Sequence, residues 1–600
     1  MRGGKCFAAD FETTTDENDC RVWAYSLCSV DDPDIFIYGN SIDEFFEFCA
    51  NPKVNYKMWY HNLKFDSIYL LNFLFSHGFT WIADKKEKKD KTFTTLITDM
   101  GQFYSIVVYF KVTGHHTNKV EFYDSMKIFP NFSVEAIAES FKLPIKKLKI
   151  DYREYREPGH KLTQEEIDYI RNDVEIVARA LKEMFSRGLT KMTIASDAMA
   201  YFKDHFAGFR KKFPILPEAM DKDIRKAYRG GFTYVNETNQ DKLIGKGITL
   251  DVNSLYPSCM FSPYLLPYGM PVMFEGKYKK DLIHPLYVQC FTCSFEIKPG
   301  KIPSIQIKNS LSFIPNEYVK TSNGKHVELM LTKPDFELFK SQYNIYNIKY
   351  KGGWKFKASI GLFDEYVDHW LQEKIKAGKE GNAPQRVIAK TMLNSLYGRF
   401  ALSSNARQNI PYFDDGIVKF YKGKEESRET VYIPVAAFIT SYGRNRTIRT
   451  SQTIKDFTIR KYGEDRYYYS DTDSIHATLT DEDLDELKDI VKIDDFALGC
   501  WAKEAEFTRA KFIRQKCYIE EVKGKIHVTI SGLPKYLGPL VNFDNFKKGF
   551  STGGMTIDDM IELARKNGAS EEEIEKIHHK LTYKYVKGGV IMKDTDFTIV

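Results

Sequence analysis

Asp10-Phe11-Glu12 puts two carboxylates at i and i+2, which on a strand point to one face. Asp66 closes the run Tyr60-His-Asn-Leu-Lys-Phe-Asp66, and Tyr169 and Asp173 stand at i and i+4, one above the other if that segment is helical. Four carboxylates and a phenol can thus converge on the end of a strand. Hard oxygen ligands suit Mg²⁺ or Mn²⁺. Two such ions about 4 Å apart activate a water and stabilise the leaving oxygen of a phosphodiester, with Tyr169 orienting the water. Asp-x-Glu in a strand is ordinarily an exposed face. Here it ends the apolar run Phe7-Ala8-Ala9, and acids at a buried strand end need a reason.

A second set lies in Asp251-Val-Asn-Ser-Leu-Tyr-Pro257 and Tyr469-Ser-Asp-Thr-Asp-Ser474. Asp251 ends a strand; Asp471 and Asp473 alternate around a tight hairpin and so project to one face. Asp-Thr-Asp-Ser alone is an ordinary polar turn, but strong β-formers flank it on both sides, which supports it rigidly as a metal site requires. A third element is Arg386, Lys390 and Asn394 at i, i+4, i+8, with Tyr397 near the same stripe. Such spacing by default is a solvated face. The helix is otherwise apolar, so two cations one turn apart fit the phosphates of a nucleotide, and Tyr397 offers a flat surface to a base pair.

The elements that must position these groups follow from pattern. Phe7–Glu12, Tyr104–Lys111 and Val120–Tyr123 read as strands and Tyr69–Ser76 as a helix. Thr163-Gln-Glu-Glu166 is a capping box that opens a long helix to about Phe185, with Gly188 as its stop. The Pro/Gly-punctuated stretch Lys211–Phe232 reads as a linker, Ile248–Val252 as a strand, and residues 265–363 as an inserted module of short strands. Leu362–Lys376 and Pro384–Arg399 form an αα-hairpin. Residues 402–431 are polar and strand-like, a helix starts at Ala436, and mixed strand and helix follow the Asp471/Asp473 hairpin.

Six hundred residues predict about four domains at roughly 150 residues each. Hydrophobic residues at 43% and charged residues at 28% exclude a disordered chain. The net charge of +6 permits a polyanionic partner without demanding one. Nine cysteines imply no disulfide framework, and the lone Cys290-x-x-Cys293 has no second pair to make a zinc site. No signal peptide or spanning segment is read, so the expected location is the cytoplasm of a host cell.

Together these motifs resemble those of the family B DNA polymerases of the protein-primed type, closely the phi-29-like phage replicases, over essentially the whole chain. Asp10–Thr13, Tyr60–Asp66 and Tyr169–Asp173 resemble three motifs of its 3′→5′ exonuclease; Asp251–Pro257, Lys390–Gly398 and Tyr469–Ser474 resemble its polymerase motifs. Six motifs in this order are highly specific. The resemblance implies an α/β multidomain fold: a ribonuclease H-like exonuclease (1–193), palm (194–262 and 434–532), fingers (364–401), thumb (533–600) and two subfamily insertions (263–363 and 402–433). It implies Asp251, Asp471 and Asp473 as catalytic, with Asp251 and Asp473 foremost as metal ligands and Val252 beside them, and two Mg²⁺ per site, replaceable by Mn²⁺. The second site's ligands are Asp10, Glu12, Asp66 and Asp173, with Tyr169 and Lys147 assisting.

By the same resemblance Tyr256 excludes ribonucleotides, since a ring under the sugar leaves no room for a hydroxyl. Leu255, Lys376, Arg386, Lys390, Asn394 and Tyr397 contact the dNTP. Thr13, His61, Asn62 and Phe65 grip a single-stranded 3′ end. Tyr228, Gly230, Gly231, Thr440, Arg444, Lys516 and Tyr518 contact primer–template DNA. The implied partners are DNA, dNTPs and a terminal protein whose hydroxyl primes synthesis and which pairs with an otherwise monomeric enzyme. The second insertion would enclose DNA, giving processivity and strand displacement in copying a linear viral genome. This chain departs from the family pattern in a long stretch Ile454–Arg466, in Gly553–Lys580, and in Arg386 where Lys is expected. Two other readings are a polymerase of this family using nucleic-acid primers only, and a non-catalytic DNA-binding replication factor.

Overall fold

The computed structural model describes residues 5–152, 154–306 and 318–600; the N-terminal run Met1–Gly4 read above for a signal lies outside them. An eight-stranded mixed sheet is ordered in space Phe36–Gly39, Val22–Ser29, Lys5–Thr13, Tyr56–Tyr60, Thr117–Asp124, Phe103–Val112, Thr92–Ile97, Thr80–Trp81. Val22–Ser29 is buried along its whole length, as a strand covered on both faces should be. Lys5–Thr13 pairs antiparallel with Val22–Ser29 and parallel with Tyr56–Tyr60. The parallel pairing ends with Ala9 opposite Tyr60, so Asp10 and Glu12 emerge where the strand loses its neighbour on that side.

The capping box forms as read: Thr163 accepts from the Glu166 N–H while Glu166 accepts from the Thr163 N–H. Its helix, Gln164–Ser186, lies across the sheet and ends before Gly188 at φ 78°. The other motif helix starts earlier than the expected Tyr69, at Leu63. Asn62 takes a left-handed φ of 74° at the turn out of strand Tyr56–Tyr60, and this places Asp66 in the helix's first turn.

A second sheet carries the other acids. In space it runs Lys525–Ile530, Cys517–Val522, Trp501–Arg514, Gly247–Val252, Ser474–Ala477, Tyr467–Asp471, Thr233–Val235, with Leu243–Ile244 added on Trp501–Arg514. Behind it lies the 30-residue helix Ile433–Tyr462. It begins three positions before the expected Ala436, and its far end explains the long stretch from Ile454: those residues are further helical turns, closed by Gly463 at φ 74°.

The expected αα-hairpin consists of helices Asp364–Lys379 and Ala383–Phe400. The first insertion corrects the expectation of short strands. It is a four-stranded sheet containing the 17-residue strand Tyr343–Ser359, with helix Lys333–Gln342 packed on it. The second insertion is one hairpin, Asn405–Asp414 with Ile417–Ser427, whose Phe413 stacks on Phe75 of the N-terminal domain.

The C-terminal segment divides in two. Lys535–Leu540, Ile557–Lys566 and Glu571–Glu575 gather around Leu537, Leu540, Phe546 and Met560, a core of their own against Ile519 and Ile530. The hairpin Lys580–Val586 with Gly589–Thr595 instead joins the N-terminal domain, where Val586 and Val590 are part of its core. Its turn fits only as glycine: a Cβ on Gly588 would lie 2.1 Å from the Cys20 carbonyl oxygen, and one on Gly589 2.3 Å from the Tyr69 ring. Among the described residues no helix is long and apolar enough to cross a membrane.

Candidate active sites

In the second sheet, Asp251 lies opposite Ser474, and Ser474 opposite Asp471. The Val252 N–H donates to the Asp473 carbonyl at 2.8 Å. The register of three strands thus fixes all three acids at one sheet end. Thr472, at the tip, has φ 61°; its N–H donates to the Phe232 carbonyl and its carbonyl accepts from Thr447 Oγ1 at 2.7 Å. A Cβ on Gly231 would meet Thr472 Oγ1 at 2.5 Å, so this glycine is required by the hairpin's close approach.

Burial, then the charges of Asp473 and Glu504, push the Asp251 carboxyl up to about 7, with Lys390 opposing. Asp473 is raised by burial, by Asp471 and by Glu504. Asp471 turns elsewhere: Lys516 Nζ donates to its oxygens at 2.9 and 3.2 Å, and Thr233 and Tyr469 also donate to it. Lys516, expected on DNA, therefore reaches into this cleft, and Tyr518 packs beside Tyr469. Glu504 was not foreseen; it is an exposed acid on strand Trp501–Arg514.

Arg386, Lys390 and Asn394 form the exposed stripe read for them, although the Asn394 amide folds back onto the Lys390 carbonyl. On the neighbouring helix Lys376 is exposed, and two positions before it burial and the charges of Lys390 and Arg386 hold the Lys374 ammonium below the usual lysine range. The Tyr256 and Tyr397 rings lie 4.3 Å apart at 38°. Val252 and Leu255 are buried, so only their backbone can face a substrate.

Two expected DNA contacts point inward. The Thr440 hydroxyl donates to the Ala436 carbonyl within its own helix and is buried. Arg444, also buried, donates to the Arg229 and Gly230 carbonyls and pairs with Asp335 of the first insertion at 2.5 Å. It anchors the Tyr228–Gly231 loop from behind.

In the N-terminal cleft, burial and the Asp173 charge push Asp10 up to about 7, against Lys147. Burial raises Glu12 and Asp66 well above the carboxylate range, each further raised by Asp10. Lys147 Nζ pairs with Asp173 Oδ2 at 2.5 Å, yet burial outweighs the pair and Asp173 is raised as well. The Tyr169 hydroxyl bonds to that of Tyr152, an exposed residue that motif reading missed. His61 bonds Ser125 Oγ and the Phe132 carbonyl through both ring nitrogens, at 2.9 Å each, so it braces the cleft and does not face it. Thr13 ends its strand, half-buried.

Among the described residues no three acidic, histidine or cysteine side chains stand in mutual ligating positions. The donor set nonetheless fits divalent cations. It is all carboxylate oxygen, and Asp66 Oδ1 and Asp173 Oδ1 are buried without a hydrogen-bond partner, a costly condition that a cation would relieve.

The chain as a whole is similar to known proteins. The family of type B DNA polymerases, organellar and viral, matches residues 50–490. The DNA polymerase of Bacillus phage Nf is 42% identical over 99% of each chain. Solved structures of phi29 DNA polymerase, one with primer–template DNA and incoming nucleotides and one with single-stranded DNA, cover 100% of both chains at TM-scores of 0.88 and 0.87 and identities of 40% and 39%. The match spans the full length of both chains, and the chain belongs to the type B DNA polymerases, in their phi29-like branch.

Proposed function

We propose that the chain is a DNA-directed DNA polymerase with a proofreading 3′→5′ exonuclease, primed by a terminal protein. The observation that carries the synthetic reading is the strand register that joins Asp251 to the Asp471/Asp473 hairpin, facing the Lys374–Arg386–Lys390 cluster. Asp251 and Asp473, with Asp471 alongside, would hold Mg²⁺ or Mn²⁺; Asp10, Glu12, Asp66 and Asp173 would hold it in the other cleft. Such ions, when bound, neutralise charge on phosphate oxygens in displacements at phosphorus.

The remaining work falls to side chains. Arg386, Lys390 and Lys374 bind the triphosphate. Tyr256, backed by Tyr397, closes the space a 2′-hydroxyl would need. The primer hydroxyl oxygen, or that of the terminal protein, then bonds to the α-phosphorus as pyrophosphate leaves. In the N-terminal cleft Asn62 and Phe65 hold the strand end, and Tyr169, set by Tyr152, orients the attacking water; Lys147 stabilises the acids. The solved phi29 complexes with primer–template and with single-stranded DNA support both substrates.

The test is dNTP incorporation on a primed template and degradation of a labelled single strand, each with Mg²⁺, beside incubation of labelled dATP with the terminal protein. Incorporation, degradation and a covalent protein–nucleotide adduct are expected. Absence of incorporation overturns the polymerase; incorporation without the adduct leaves a polymerase that starts from nucleic-acid primers.

A further inference from the structure

The C-terminal hairpin brings to the N-terminal cleft a residue that none of the motifs contains. Tyr583, on strand Lys580–Val586, is half-buried. Its hydroxyl accepts a hydrogen bond from the Asn62 side-chain amide at 3.3 Å. Its ring centroid is 6.2 Å from that of Phe65, and the Lys64 ammonium lies 4.8 Å from the ring centre. The Asp66 charge acts on its hydroxyl, so the side chain is directed at the cleft.

We propose that Tyr583 binds the 3′ end of a single DNA strand, forming with Phe65 an aromatic clamp around one base. This rests on the exonuclease reading of that cleft. A base held between two rings needs roughly 7 Å between them, twice a carbon–carbon contact distance; 6.2 Å at a tilt of 40° is reached from there by a small opening. The Tyr583 hydroxyl, while accepting from Asn62, keeps its own hydrogen for a phosphate oxygen, and Lys64 supplies a cation beside it. The clamp is composite: one ring belongs to the exonuclease motif helix, the other arrives from a segment 518 positions later (583 − 65). A paired end has its base face covered by its neighbour and its edge by its partner, so the clamp takes frayed ends.

The experiment follows degradation of a labelled single-stranded oligonucleotide over a range of enzyme concentrations, with full-length Tyr583→Ala and Tyr583→Phe proteins. Base–aromatic stacking is worth about 1–3 kcal/mol per base. Tyr583→Ala is therefore expected to weaken apparent strand affinity about 5- to 150-fold, with the saturating rate within about threefold of the parent. Tyr583→Phe keeps the ring and loses only the hydroxyl's bond, so its affinity should fall less than that of Tyr583→Ala, with the saturating rate within about threefold of the parent. Should the alanine variant unfold the hairpin, Tyr583→Leu fills the volume without a π face and must lose affinity likewise. Unchanged affinity in the alanine or leucine variant, or faster degradation, overturns the clamp. The double variant Asp10→Ala/Glu12→Ala is run beside them: if it still degrades the strand, the exonuclease reading itself falls, whatever Tyr583 does.

Discussion

In the cleft of the second sheet the acids come from neighbouring strands, joined by a hairpin with its turn locked against Gly231 and Thr447. In the N-terminal cleft they come from a strand, the first turn of one helix and the third turn of another. Backbone hydrogen bonds set the first arrangement. The second depends on how helices dock, and the structure provides for this with the capping box, the Lys147–Asp173 pair and His61 bonded at both nitrogens. The first site is therefore tolerant of changes around it and sensitive at its turn, while the second is sensitive throughout its supporting shell.

The widest separation is expected from the acids. Asp251→Ala or Asp473→Ala should lower incorporation at least about a thousandfold and leave single-strand degradation intact, with Asp10→Ala/Glu12→Ala doing the reverse. Loss of both activities in folded protein from either change would join what is here divided. Next, Lys374→Ala should raise the KM for dNTP about 10- to 150-fold, the range for hydrogen bonds to charged groups, against less than about threefold for Lys376→Ala; steady-state kinetics with both variants decides which lysine faces the triphosphate. Gly231→Ala overpacks the Thr472 turn and should cost about 1–3 kcal/mol locally, seen as a drop in incorporation of about tenfold with degradation unaltered.

The smallest effect is on stability. In the metal-free protein Asp10 and Asp251 keep their protons up to about pH 7, against an ordinary 3.8, and Glu12, Asp66, Asp173 and Asp473 shift the same way. The folded state binds more protons than the unfolded one across that window. Its stability is fully present below about pH 4 and is lost as pH rises through 7. Melting temperature without divalent ions should fall from pH 5 to pH 8 by about 2–4 °C per kcal/mol lost, and Mg²⁺ should restore it more at pH 8 than at pH 5. A flat profile would mean the acids are better solvated than their burial indicates.

The acids were legible because their cues are local: i, i+2 on strands, i, i+4 on a capped helix, a polar turn between β-formers. What escaped is non-local or angular. Lys376 was expected on the triphosphate, while Lys374, two residues and about 200° of rotation away, is the lysine whose ammonium feels Lys390 and Arg386, a neighbour that spacing did not single out. Arg444 was expected on DNA by resemblance alone, and its partner Asp335, 109 positions away, could not be read from local spacing. Glu504, Tyr152 and Tyr583 carry no motif at all. The first insertion's long strand and helix were hidden by its turn signals, which mark the ends of elements and not their lengths.

The contact between Tyr69 and Val590 has a consequence for how the molecule is assembled. The Tyr69 hydroxyl donates to the Val590 carbonyl at 2.5 Å across 521 positions of chain, and Val586 and Val590 complete a core built from the N-terminal domain and Val418. During synthesis that domain waits with an apolar socket open while several hundred residues emerge, and it seals only when the hairpin returns. Such late, distant closure slows folding and leaves a sticky surface in the interim, so nascent chains halted before residue 586 should be the ones that chaperones hold and proteases remove.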